Sequence, residues 1–290
     1  MSGKMKIGVL ADGFRLPIKE GIKKAAELGV TGVQLYAVSG ETAPWNMDAQ
    51  ARAELRKVVA DNGIVVSAVC GDLWGYGFTN PNENPERIEK SKQIIDLSLE
   101  LGCKIITTHG GVIPEDETHP RHLNIKAAFE AIGSYAQKAG AVLAIETGPE
   151  PAAVLRSFLD KLETRGVAVN LDPANLIMSV DDDPVKAVET LKPYVVHTHA
   201  KDGILLRKVD PTYMYHTYGV EPPADLPDEW DICREMPLGE GGVDWDNYLA
   251  ALKNIGYTGY LTIEREVGED PARDIGMAVE FLKRKLELLY

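Results

Sequence analysis

The chain has 290 residues, with 31 lysines and arginines against 44 aspartates and glutamates, for a formal net charge of −13. That acidity argues against a nucleic-acid partner, because such affinity rests on neutralising phosphates with Lys and Arg. Three cysteines, Cys70, Cys103 and Cys233, contain no C-x-x-C pair, which argues against a disulfide framework or a thiolate zinc site.

The predicted elements alternate along the chain. A short strand, Ile7–Ala11, is followed by an amphipathic stretch closing at Gly29, and Gly32–Tyr36 reads as the second strand. A helix over Asp48–Asn62 ends at Gly63 and leads into Val65–Cys70. A helix over Pro85–Leu101 ends at Gly102 and leads into Ile105–His109. Ile125–Ala139 ends at Gly140 before Val142–Glu146, and Gly166 precedes Val167–Asp172. Val185–Leu191 gives way at Pro193 to Val195–His199. Gly256 precedes Tyr260–Glu264, and Ala272–Leu289 closes the chain as a helix. Glycine suits the left-handed residue that ends a helix, and Pro85, Pro184 and Pro271 stand at helix starts, where the missing N–H costs nothing. No apolar run reaches the roughly 20 residues that cross a bilayer, so the chain reads as a cytoplasmic protein with no membrane partner.

Strands alternating with helices imply parallel pairing through right-handed crossovers. Eight such units match an α/β fold of the (β/α)8 TIM-barrel class, which takes about 250 residues. A doubly wound dinucleotide fold is disfavoured, since Gly8–Gly13 does not supply its glycine pattern. The reading is one barrel domain over 1–290 with a long insertion after strand seven, over 200–242. That segment is polar and aromatic, with Tyr213, Tyr215, Tyr218 and Trp230, and contains no convincing strand. Connections beyond about 12–15 residues are usually functional or disordered; rim decoration, a lid and a subunit contact are all open.

Barrel active sites lie at the C-terminal ends of the strands. Strand five ends Ile145-Glu146, strand six Leu171-Asp172 and strand eight Ile263-Glu264, while strand seven runs His197-Thr198-His199. Side chains alternate along a strand. With the bulky Ile145, Leu171 and Ile263 turned toward the helices, the three acids turn toward the barrel axis. His199 lies nearer that edge than His197, which reads as a satisfied interior histidine. Three crowded carboxylates would repel, and some would take up protons. One divalent metal ion relieves this. Three carboxylates and an imidazole suit a fairly hard cation, Mn²⁺ first, with Co²⁺, Mg²⁺ or Zn²⁺ as alternatives. His109, Asn175, Lys201 and Arg207 are the candidates for contacting substrate, each with a plain rim role as the alternative. Gly110 and Gly111 after His109 would let a ligand approach the backbone.

These strand ends, with Asn170–Asn175, His197–Asp202, Ala68–Gly71 and Pro237–Gly241, resemble the xylose-isomerase-like TIM barrel superfamily of sugar isomerases and epimerases, over nearly the whole chain. The resemblance implies that Glu146, Asp172, His199 and Glu264 bind one metal and that Glu146 and Glu264 are catalytic, handling protons. Ketose 3-epimerases commonly carry a substrate-binding histidine three residues after the metal aspartate, where this chain has Asn175. The expected reaction is abstraction of a proton α to a carbonyl through a metal-stabilised enediolate, on a small-molecule sugar or sugar derivative. Loss of a β leaving group would instead make a lyase or dehydratase of a keto-sugar or 3-keto-glycoside. The acidic run Arg265–Asp270 disfavours a phosphorylated substrate. A homo-oligomer or a partner subunit is compatible with such a barrel.

Overall fold

The structure, a computed structural model, describes residues 3–73 and 76–290. Its strands in chain order are β1 (Lys6–Leu10), β2 (Gly32–Tyr36), β3 (Val65–Cys70), β4 (Ile105–Thr108), β5 (Val142–Glu146), β6 (Val167–Leu171), β7 (Val195–Ala200), β8 (Asp202–Leu205), β9 (Cys233–Met236) and β10 (Tyr260–Ile263). Eight of them form a closed barrel in the order β1-β10-β7-β6-β5-β4-β3-β2. Every barrel pairing is parallel, and β1 meets both β2 and β10, so the sheet has no open edge. Long helices, among them Asn84–Glu100, Pro120–Ala139 and Pro271–Leu289, follow the strands. This is the expected (β/α)8 barrel.

Local chemistry starts and stops the helices. Asp48 accepts from the Ala51 N–H and Asp183 from those of Val185 and Lys186, capping first turns whose donors lack helical partners. Of the six glycines read as helix ends, Gly29, Gly63, Gly102, Gly140 and Gly256 have φ of 65–80°, the left-handed conformation expected there. Gly166 does not. A Cβ on it would lie 1.9 Å from the Gly133 carbonyl oxygen, so this glycine is required by the close approach of the Pro120–Ala139 helix. Ile145, Leu171 and Ile263 share one core with Phe129, Leu155 and Leu282 from the helices. Burying these side chains outside the barrel fixes the opposite phase of each strand toward its axis.

Two irregularities tune that phase. Gln34 pairs with Ala68 after Val33 pairs with Val66, and His197 pairs with Asn170 after Val195 pairs with Val169. Each skips one residue, Ser67 or Val196, and such bulges commonly re-aim side chains beside active sites.

The segment after β7 differs from its expectation. β8 and β9 pair antiparallel, Asp202 with Met236 through Leu205 with Cys233, and carry short helical turns at Pro211–Met214 and Glu229–Ile232. Four-residue strands so far apart in sequence leave no alternation long enough to read. Asp202 ties this segment together from beneath. Its Oδ1 accepts from the Gly203 and Val243 N–H groups, and its Oδ2 from the Gly239 N–H and the Trp245 indole at 2.9 Å. Asp202→Ala would leave these donors unmatched in a site where the aspartate is 1 % exposed. A loss of roughly 3 kcal/mol or more is expected, since each orphaned buried group costs about 1–3 kcal/mol. Chemical denaturation of the variant beside the parent checks this, and an unchanged midpoint would rule the staple out.

Candidate metal centre

Glu146 at the end of β5, Asp172 just past β6, His199 in β7 and Glu264 just past β10 offer ligand atoms that all lie within 4.8 Å of one another. All four side chains are buried. The His199 Nδ1 is 3.4 Å from Glu146 Oε1, 3.3 Å from Asp172 Oδ2 and 3.3 Å from Glu264 Oε2. One nitrogen thus faces three carboxylates.

The surrounding groups orient this set. Gln34 Oε1, which only accepts, lies 3.1 Å from Nε2 of both His199 and His197. Its amide nitrogen donates to Thr107 Oγ1 in this orientation. Both imidazoles therefore carry hydrogen on Nε2, and Nδ1 of a neutral His199 is free to coordinate. Asn170 Nδ2 donates to Glu146 Oε2 at 3.1 Å and Asn175 Nδ2 to Oε1 at 3.0 Å. Asp172 has two tasks: Oδ1 accepts from the Asn175 N–H and caps a helical turn, while Oδ2 faces His199. Lys201 bridges Glu264 Oε2 at 3.0 Å and Glu266 Oε2 at 2.6 Å. Glu146, Asp172, His199 and Glu264 form a donor set that could hold a divalent cation of the oxygen-preferring kind.

Electrostatics follow from this packing. Burial opposes ionisation of Glu264, yet His199 and Lys201 hold its carboxyl well below the usual range. Burial also opposes ionisation of Glu146, where His199 and His109 prevail and keep it low. Burial wins at Asp172 and raises it. At His199 burial is outweighed by Glu264 and Glu146, which push the imidazole well above its ordinary value. Burial and then the neighbouring His199 push His197 down to about 3, so it stays neutral, as an interior histidine should. In the loop after β5, burial raises Glu150 to about 8; its Oε2 accepts from the Ile113 N–H. An acid raised in the folded state keeps its proton while the unfolded chain ionises, so its effect on stability turns unfavourable as pH rises from about 4.5 to about 8. Glu150→Gln keeps the acceptor and removes the ionisation. It is expected to be at least about 1–2 kcal/mol more stable than the parent at pH 8, a gap that closes toward pH 4.5. Coincident melting curves at pH 8 would contradict it.

A cavity of about 410 Å³ opens over the centre, with Asp72, His109, Glu146, Asn175, Lys201 and Glu264 at its floor. His109 Nδ1 is 3.0 Å from Asp72 Oδ2, and its Nε2 is 3.7 Å from Glu146 Oε1. Three of the four residues expected to contact substrate thus come together here. Arg207 is exposed and lies outside the cavity lining. The glycines after His109 also serve another purpose than expected. A Cβ on Gly111 would lie 2.5 Å from the Tyr76 carbonyl oxygen, and one on Gly110 would press on Phe129 at 3.1 Å. They admit a neighbouring loop and a core ring. Gln34, Asn170 and Asp72 were not read as site residues from the sequence. The available signal for Gln34 and Asn170 was a polar residue on the inward phase of an otherwise apolar strand.

A sequence model of the family described as xylose isomerase-like TIM barrel matches residues 22–285. Among solved structures, the chain is similar to a xylose isomerase domain protein from Planctomyces limnophilus, at 25 % identity and a TM-score of 0.79, with 98 % of each chain covered. The fold is shared with the probable 3-DHS dehydratase from Bacillus anthracis, at 16 % identity and a TM-score of 0.73 over 96 % of this chain and 99 % of that one. It is shared also with 3-keto-D-glucoside 4-epimerase from E. coli, at 17 % identity and a TM-score of 0.71 over 97 % of this chain and 100 % of that one. No helix among the described residues is long and apolar enough to cross a membrane.

Proposed function

The chain belongs to the xylose isomerase-like TIM barrel family, and from that membership we propose that it is a divalent-metal-dependent sugar isomerase or epimerase. The observation that carries the reading is the convergence of Glu146, Asp172, His199 and Glu264 within 4.8 Å at the floor of a cavity. A cation held by these four residues, with Mn²⁺ the best match to the donors, would supply Lewis-acid stabilisation of the negative charge that develops on a carbonyl oxygen. The remaining work falls to side chains. Glu146, ionised and held from two sides by Asn170 and Asn175, takes the proton from the carbon beside the carbonyl. Such a base contributes typically 10²–10⁴-fold. Glu264, ionised at rest and kept in register by Lys201, serves the opposite side of the substrate by relaying a proton from solvent to carbon, while Glu146 releases to solvent the proton it took. Return to the same carbon epimerises, and return to its neighbour isomerises. His109, oriented by Asp72, and Lys201 supply hydrogen-bond donors to substrate hydroxyls.

A neutral sugar is favoured over a phosphorylated one. Arg265, the cation that follows β10, is engaged by Glu235 at 2.7 Å and Asp274 at 2.9 Å. A second reading, a lyase that expels a leaving group after the same proton abstraction, is favoured by the cavity's volume of about 410 Å³, which leaves room for such a group. Incubating the Mn²⁺-loaded protein with a panel of keto-sugars in D₂O separates the two. Deuterium at the α-carbon of an intact sugar supports the isomerase, a released leaving group supports the lyase, and neither on any keto-sugar would overturn both.

A further inference from the structure

The tip of the segment between β8 and β9 does not stop at the rim. Tyr215 lines the cavity together with Asn175, Ser179 and His109, and its ring centroid lies 5.8 Å from that of the His109 imidazole. Its hydroxyl is 3.1 Å from Ser179 Oγ, which stands in the π-helical turn Leu176–Val180 directly after Asn175. Such turns recur at functional sites. The barrel is shaped to receive this phenol. Gly148, in the loop after β5, has a φ of 142°, and a Cβ there would lie 2.6 Å from the Tyr215 hydroxyl oxygen. The loop thus carries no side chain where the phenol comes down. The tip is also held on its own side. The Tyr215 N–H donates to the Pro211 carbonyl oxygen and the Thr217 N–H to that of Thr212, while the Tyr218 N–H donates to Thr79 Oγ1 at 3.4 Å. His216 takes a φ of 44°, a left-handed backbone that a non-glycine residue adopts at a cost.

Two hydroxyls that share one hydrogen bond hold two hydrogens and use one. Either atom can donate in the Ser179–Tyr215 pair, and neither side chain has another hydrogen-bond partner among the described residues. One hydrogen therefore remains for an acceptor in the cavity. The phenol is the stronger donor of the two. With an acceptor present, Ser179 gives its hydrogen to the phenol oxygen and Tyr215 gives its own to the ligand, so that each bond strengthens the other. Burial raises the phenol above its ordinary pKa, so it keeps this hydrogen across the neutral range. We propose that Tyr215, supplied by the inserted segment, is a substrate-binding residue that donates its hydroxyl hydrogen to one hydroxyl oxygen of the bound sugar, with Ser179 holding the phenol in place. This rests on the reading of the floor as a sugar site and adds to it a contact that the barrel strands do not supply. The insertion is then a working part of the site and not rim decoration.

The test is calorimetric titration of the Mn²⁺-loaded protein with the D-ketohexoses fructose, psicose, sorbose and tagatose, and then with the monodeoxy analogues of the one that binds tightest. Tyr215→Phe, which keeps the ring beside His109, is expected to bind that ketohexose about 3–10-fold more weakly at unchanged metal content, the loss of one neutral hydrogen bond. The same factor should vanish for one monodeoxy analogue, the one lacking the hydroxyl that Tyr215 contacts, and persist for the others. A purely structural role for Tyr215 would weaken every analogue alike. Ser179→Ala, which leaves the phenol, should lose less affinity than Tyr215→Phe. Equal affinities of parent and Tyr215→Phe, a loss that persists across every analogue, an equal or larger loss in Ser179→Ala, or no binding of any ketohexose would overturn the inference. Deuterium exchange beside the carbonyl, followed on the same parent samples, keeps the two claims apart. Exchange with equal affinities leaves the isomerase reading and removes Tyr215 from it, while a Tyr215-dependent affinity without exchange does the reverse.

Discussion

His199→Ala is expected to bind its divalent ion at least about 100-fold more weakly than the parent, and to lose it on dialysis. The removed Nδ1 is the atom that faces Glu146, Asp172 and Glu264 at 3.3–3.4 Å. Disturbing an outer partner of a metal ligand costs 10–100-fold in affinity, so loss of a ligand should reach at least the top of that range. The variant also loses the positive charge that offsets the three carboxylates when no cation is present, and some of those acids must then take up protons. In the parent, His199 is pushed well above its ordinary value, so metal uptake expels a proton and weakens as pH falls. Elemental analysis after dialysis, with circular dichroism to establish that the fold persists, reads the outcome directly. Unchanged metal content in a folded variant would mean that the four residues are not the ligands.

Glu146→Gln is expected to lower turnover by about 10²–10⁴-fold, the contribution typical of a positioned general base. The substitution is nearly isosteric, but both oxygens of Glu146 accept from amides, Asn170 Nδ2 on one and Asn175 Nδ2 on the other. A glutamine must turn its own NH₂ toward one of these donors, so the carboxamide is no base and its orientation is lost as well. Glu264→Gln should fall by a comparable factor for a different reason, because Lys201, 5 % exposed, would lose one of the two carboxylates it pairs with and keep only Glu266. Rates of α-proton exchange and of product formation, measured on samples of equal metal content, check both. A variant that keeps parental rates at full metal loading removes its glutamate from proton transfer.

The candidate centre could be picked out because its four residues stand at or beside strand ends. Ile145-Glu146, Leu171-Asp172 and Ile263-Glu264 repeat one pattern, an apolar residue facing the core followed by an acid facing the axis, and periodicity alone aligns them. The supporting shell was much less legible. Gln34 and Asn170 come next to backbone bulges, and a bulge is a feature of pairing that a single strand does not announce. The Asp72–His109 pair joins loops after different strands, so neither partner predicts the other by spacing. The β8–β9 ribbon and its Asp202 staple depend on contacts between residues about 30–40 positions apart, which no local propensity encodes. Arg207 illustrates the converse. A cation soon after a site strand was a fair candidate, yet it lies in an exposed turn beyond β8, outside the cavity lining.

The most direct measurement is deuterium incorporation at the carbon beside the carbonyl of a keto-sugar, followed by NMR on protein stripped of metal and again after reloading with Mn²⁺. Exchange should be absent from the stripped protein, return in proportion to metal occupancy up to about one ion per chain, and fail in reloaded Glu146→Gln. Exchange that survives complete metal removal, or its absence on every keto-sugar at full occupancy, would contradict a metal-dependent sugar isomerase built on Glu146, Asp172, His199 and Glu264.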